Sequence, residues 1–193
     1  MATNDARLIA LDGLTGMVCA EFGSGGEIDL KAGVGQLSWA QEYQVSSPPA
    51  VVGDVVVVGS AVADNQRIDA PSGVVRGYDV RSGKLVWAFD LAPPDFDYAT
   101  GLVSEAGYAL GTPNVWSGFA VDQPRDMVFL PTGNPAPDYA RNPGPDMAHY
   151  GSSVVALRGS TGELIWHFKT VERDFWDFDV PSIPSLVDLQ LAG

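Results

Sequence analysis

"VRGYDVRSGKLVWAFD" (residues 75–90) and "VVALRGSTGELIWHFKT" (154–170) share one plan. Each is an apolar run, an Asp or Arg, a short turn ending in Ser/Thr-Gly, and a second apolar run that contains a Trp. "LIALDGLTGMVCAEF" (8–22) repeats the plan, with Cys19 or Ala20 near the place of the Trp. The turn glycines are Gly16, Gly83 and Gly162. Glycine permits positive φ at a turn, and alternating apolar residues bury one face of a strand, so each copy reads as a β-hairpin. No single copy can bury its faces alone, so the copies must stack. Trp87 and Trp166, at one fixed place in the repeat, read as plugs between neighbouring sheets.

Working outward, "PPAVVGDVVVVGSAV" (48–62) is a further hairpin with Gly53-Asp54 at its turn. "GFAVDQPRDMVFLPTG" (118–133) is another, turning at Gln123–Asp126. Both are rich in β-branched or aromatic residues, and no long helix is evident. The pattern predicts an all-β fold: a single partial β-propeller domain over residues 1–193, with roughly two to three four-stranded blades. The copies lie far apart for a blade repeat, so insertions at 63–73, 91–114 and 136–151 fill the difference. Long loops at one end of a propeller are the expected place for a site. A closed propeller needs at least about four blades. The chain is therefore expected either to be a piece of a longer propeller, truncated at both ends, or to close by association; the first is the reading adopted.

Hydrophobic residues make up 46% and the net charge is −13, with Gly 22 and Pro 14. That fits a folded chain of short strands. The charge argues against nucleic-acid phosphates and against anionic lipid. Cys19, the only cysteine, reads as a small buried hydrophobe. His149 and His167 are too few and too far apart for a His-rich metal site. The polar start carries no signal-like apolar region, and the apolar stretch 49–63 is too short to span a bilayer. There is no Gly-x-Gly-x-x-Gly opening a helix, no Gly-x-Ser-x-Gly elbow and no P-loop.

"DFWDFD" (174–179) alternates acids with aromatic rings. A carboxylate in an aromatic wall is either a structural acceptor or a base tuned by desolvation. Asn134 in "PTGNPAP" is either a turn residue or an oxygen ligand for a hard cation. Asp64-Asn65 reads as an Asx turn or a ligand. Trp116 lies outside the hairpin repeat, which sets it apart from Trp87 and Trp166.

Four phrases in order, "SSPPAVVGDVVVVGSAVADN" (46–65), "GTPNVWSGFAVD" (111–122), "LPTGNPAPDY" (130–139) and "WHFKTVERDFWDFDVPS" (166–182), resemble the pyrroloquinoline quinone (PQQ)-dependent dehydrogenases. The branch they are most similar to is the membrane-bound glucose, quinate and shikimate dehydrogenases. The resemblance runs along essentially the whole chain. It implies an eight-bladed quinoprotein propeller of which this chain is a part, and PQQ with Ca²⁺ or Mg²⁺ as cofactors.

The resemblance implies that Asp177 is the catalytic base, that Asn134 and Asp64 are cation ligands, and that Trp116 is the floor on which the quinone stacks. The three carboxylates of PQQ call for cationic or hydroxyl partners, for which Arg76 and Ser46 or Ser47 are the candidates. Asp174 and Asp179 are read as strand-edge or loop acids. The activity implied is oxidation of a sugar or polyol hydroxyl, with electrons passing to ubiquinone, at the periplasmic side of the membrane. The alternatives are a non-catalytic quinoprotein-like scaffold and an inactive piece of the dehydrogenase. Glu172-Arg173 stand where the family tends to carry histidine or asparagine. The family's lysine beside the quinone belongs to later blades.

Overall fold

The computed structural model describes residues 1–139 and 146–190. Among the described residues, twelve strands run in chain order. A two-stranded sheet pairs β1 (Arg7–Ile9) with β2 (Glu27–Asp29). A second short sheet pairs β3 (Tyr43–Gln44) with β6 (Ala61–Val62). One four-stranded antiparallel sheet has the order β4 (Ala50–Val52), β5 (Val55–Val58), β7 (Val75–Asp79), β8 (Leu85–Phe89). The other is a plain meander of β9 (Ala120–Asp122), β10 (Met127–Pro131), β11 (Ser153–Arg158) and β12 (Leu164–Lys169). The helical element among the described residues is a 3₁₀ turn at Met147–Tyr150. These are propeller-type blades that do not close a ring, as the repeats predict.

The four valines of β5 show why the sheets stack. Side chains alternate faces along a strand. Val56 and Val58 join Leu8, Leu30, Tyr43 and Tyr78 in one core. Val55 and Val57 join Val75, Trp87, Val128, Leu130 and Leu157 in the next. The strand is buried on both faces because a sheet lies on each side of it.

The turns repeat at atomic level. Gly16, Gly83 and Gly162 have φ of 70°, 69° and 72°. Each donates its N–H to the residue four before it, Asp12 O, Asp79 O or Arg158 O. Asp12 Oδ1 accepts from Leu14 N, Thr15 N and Thr15 Oγ, and Asp79 Oδ1 accepts from Arg81 N, Ser82 N and Ser82 Oγ. In the third copy Arg158 replaces this aspartate. Asp126, from the β9–β10 turn, supplies the carboxylate to Ser160 N and Oγ instead.

Trp87 is the plug its position predicts. It is 7% exposed, and its Nε1 donates to Gly159 O at 2.9 Å. Its ring covers Gly162 so closely that a Cβ there would come within 2.6 Å. Trp166, at the same place in the last hairpin, is 42% exposed among the described residues. Two expectations are corrected. The first copy is not a paired hairpin: β1 pairs with β2, and only an isolated bridge, Leu11 to Val18, links the arms of 8–22. Cys19 is exposed rather than buried: of that second arm, Phe22 is the residue that reaches the core.

Antiparallel pairing decides where the site lies. The start of β9, the end of β10, the start of β11 and the end of β12 all fall at one end of their sheet. Trp116, Asn134, Ser152 and the segment 174–179 occupy those four places.

Candidate active site

Asp174 folds the 174–179 loop. Its carboxylate accepts from Trp176 N (3.1 Å), Phe178 N (2.9 Å), Asp179 N (3.0 Å) and Ser152 Oγ (2.9 Å). Burial pushes this carboxyl up, but the donors outweigh it and hold the group below the usual range. The loop acids expected at Asp174 and Asp179 thus divide: Asp174 is the structural one. Asp177 and Asp179 both take positive φ, 58° and 55°.

Asp179 is the residue that joins the site. Oδ2 accepts from Trp116 Nε1 at 2.8 Å, and Oδ1 accepts from Asn134 N at 2.7 Å. Gly133 lets the carboxylate approach, since a Cβ there would sit 3.0 Å from both oxygens. Burial raises Asp179 to about 6, against the pull of Trp116. Asn134 is buried; its Oδ1 faces the Ser152 hydroxyl at 3.1 Å, and its Nδ2 lies 3.4 Å from Asp174 O. Ser46 Oγ donates to Trp116 O at 2.9 Å, and Ser47 Oγ donates to the same carbonyl. Both serines therefore hold the backbone beneath Trp116.

Asp64 sits across this group, half-buried, just after β6. Asn114 Nδ2 donates to its Oδ2 at 2.6 Å, and Asn114 O in turn accepts from Gly133 N. The Asp64 and Asp138 carboxyls lie within hydrogen-bonding reach of each other. Burial raises Asp64. Burial, then the charges of Asp64 and Asp177, push Asp138 up to about 8. Asp177 is half-buried and accepts from the Tyr139 hydroxyl at 3.1 Å.

The structure thus brings Asp64, Trp116, Asn134, Asp177 and Ser46 to one place, and leaves Arg76 out. The Arg76 guanidinium is buried and donates to Ala32 O (3.0 Å), Leu30 O and Tyr43 Oη (3.2 Å). Its parity along β7 is that of Tyr78, toward the first sheets, so its donors tie β7 to the 30–32 turn. The aromatic wall around Asp177 also fails: Trp176 and Phe178 are 75% and 69% exposed, turned outward by the left-handed backbone at Asp177 and Asp179. Asp138, Asp179, Asn114 and Ser152 were not legible as site residues. Asp138 had one available signal, its place beside Asn134 in "NPAPDY".

The sequence signature of the family described as "PQQ: Glucose/ethanol/alcohol dehydrogenase, beta-propeller domain" matches residues 1–193. The chain belongs to the PQQ-dependent dehydrogenase family. The chain is 44% identical over 189 residues to the glycerol dehydrogenase large subunit of Gluconobacter oxydans, covering 97% of the chain and 25% of that protein. It is 41% identical over 190 residues to the quinate/shikimate dehydrogenase (quinone) of Acinetobacter baylyi, covering 98% and 23%. The crystal structure of the quinohemoprotein alcohol dehydrogenase of Comamonas testosteroni aligns with a TM-score of 0.74 at 25% identity, covering 98% of this chain and 28% of that one. The chain therefore spans about a quarter of the length of the curated relatives it matches.

The residues present fit a hard cation. Asp64, Asn134 and Asp138 offer carboxylate and amide oxygens. Buried side-chain oxygens without a partner occur at Asp138 Oδ1 and Asn114 Oδ1. Among the described residues, no ion pair reaches Asp64, Asp138, Asp177 or Asp179, and no three carboxylates, histidines or cysteines converge as a ready-made cage. A site that mixes carboxylates with amide oxygens suits Ca²⁺ or Mg²⁺. For the quinone, Trp116 offers a half-buried indole fixed in orientation through Nε1.

Proposed function

We propose that this chain forms the cofactor-binding part of a PQQ-dependent dehydrogenase that oxidises a sugar or polyol hydroxyl, of the glucose or quinate type. The observation that carries the reading is the single carboxylate of Asp179 bonded to both Trp116 and Asn134. It fixes a stacking surface and an oxygen ligand relative to each other. When bound, PQQ would supply the acceptor for the hydride of the carbinol carbon, and the cation would supply Lewis-acid polarisation.

The chain's own residues do the rest. Trp116 orients the flat cofactor, with Ser46 and Ser47 holding its backbone. Asp64 and Asn134 hold Ca²⁺ or Mg²⁺. Asp177 takes the hydroxyl proton on Oδ1 or Oδ2, with Tyr139 steadying the carboxylate. Help of this kind contributes about 10²–10⁴ in rate. The reading extends to electron delivery to ubiquinone by a periplasmic, membrane-associated full-length protein. Its support is the likeness to the quinate/shikimate dehydrogenase (quinone). Among the described residues no helix is long and apolar enough to cross a membrane.

The test is a titration with PQQ, with and without Ca²⁺ or Mg²⁺, followed by tryptophan fluorescence. Saturable, metal-dependent quenching that is lost in Trp116→Ala and in Asn134→Ala is expected. A folded chain, and a folded full-length protein, that both fail to quench would overturn the reading.

A further inference from the structure

We infer that Asp138 is a further ligand of the cation, so that its site is built on a carboxylate pair, Asp64 and Asp138. This inference rests on the reading of Asp64 as a cation ligand.

The geometry of the pair sets the problem. Asp138 is 5% exposed, and its Oδ1 has no hydrogen-bond donor. Its carboxyl lies within hydrogen-bonding reach of the Asp64 carboxyl. Once both are ionised, the two carboxylates have no proton donor between them, and among the described residues no lysine or arginine forms an ion pair with either. Buried charges are retained where they are paired or coordinate a metal. An ion that takes an oxygen from each carboxylate turns the repulsion into binding.

A second observation is independent of the carboxylates. Asn114 is 1% exposed and is held against Asp64 through Nδ2, yet its Oδ1 has no partner. A neutral amide with an unused buried oxygen, beside an acid pair, adds an oxygen of the kind a hard cation takes. Backbone bonds steady the arrangement. Gly133 N donates to Asn114 O, and Ala136 N donates to Gly111 O, which seats the loop carrying Asp138. Asp64 and Asp138 come from loops far apart in the sequence, so the pair exists only once two blades have packed.

Terbium(III) is a probe for oxygen-ligand sites of this class, and nearby tryptophan sensitises its emission. The chain is titrated with Tb³⁺ as wild type, Asp64→Asn, Asp138→Asn and, as a distant acid control, Asp54→Asn. Tb³⁺ affinity is expected to fall about tenfold or more in both site variants and to stay unchanged in the control, with Ca²⁺ competing in the wild type. Thermal melts with and without Ca²⁺ guard against misfolding. Asp138→Asn should leave the metal-free chain as stable as wild type or more so, and should shrink the rise in Tm on adding Ca²⁺.

Wild-type affinity in Asp138→Asn, with loss in Asp64→Asn, overturns the Asp138 assignment and leaves the cation reading of Asp64 intact. Destabilisation of the metal-free Asp138→Asn chain with an undiminished Ca²⁺ shift also overturns it, since that is the signature of a structural acid. Undiminished binding in both site variants, or no saturable binding in wild type, overturns the Asp64 reading together with this one.

Discussion

Both oxygens of Asp179 are committed, one to Trp116 Nε1 and one to Asn134 N. An asparagine there cannot serve both, because its NH₂ would face one of two N–H donors. Asp179→Asn is therefore expected to keep the fold and weaken metal-dependent PQQ quenching. A hydrogen bond to a charged group is worth about 1.5–3 kcal/mol, so the loss is about tenfold or more in affinity. Asp177 has no such bridging duty. Asp177→Asn should leave quenching unchanged and lower turnover of the full-length enzyme by about 10²–10⁴. Equal damage to binding in both variants would refute this division of roles. At this scale Trp116, Asn134 and Asp177 were singled out within phrases that also hold Asp138 and Asp179. Asp138 and Asp179 were not, because their meaning comes from partners 40 or more residues away in the chain. Arg76 was misplaced because the cofactor's charge invited a cation. The alternation of β7, with Arg76 paired to Val58 and on the face of Tyr78, was the better guide.

Hairpins were the most legible elements. The turn at Gly53, the meander from β9 to β12 and the plug at Trp87 all follow from residue type and period. The first repeat misled, because its turn chemistry is intact while its second arm lacks a sheet to join. A turn fixes local geometry, and pairing needs a neighbour. The plug makes a sharp test. Trp87 fills the gap between two sheets and bonds Gly159 O. Trp87→Ala should cost about 3–5 kcal/mol, the range for emptying a buried aromatic site, measured by urea unfolding. Trp166→Ala should cost clearly less in this chain, as its ring is half-exposed. Similar losses in both would show that the plug is not what joins the blades.

The whole molecule carries its acid cluster as a pH-dependent load. Asp138 is raised to about 8 and Asp179 to about 6, against about 4 for an unfolded aspartate. Between these limits the folded chain holds protons that the unfolded chain has released. Stability must then fall as pH rises. In metal-free buffer, urea unfolding should show the chain more stable near pH 5 than near pH 8, and saturating Ca²⁺ should flatten that slope. A metal-free stability that rises steadily over this range would contradict the charges assigned to the cluster. The one-ended placement of the site was legible only in outline, as long loops at one end. Antiparallel order then made it specific, by gathering strand starts and ends from two sheets.

The carboxylate that Asp126 lends to the third hairpin has a kinetic meaning. Asp79 closes its own turn, so the β7–β8 hairpin can nucleate with local contacts. The β11–β12 turn waits for a carboxylate from another turn, across 34 residues. Closing that longer loop comes at an entropic cost before any reward. The two blades should therefore fold in order. Asp79→Ala should slow refolding, whereas Asp126→Ala should act mainly by hastening unfolding.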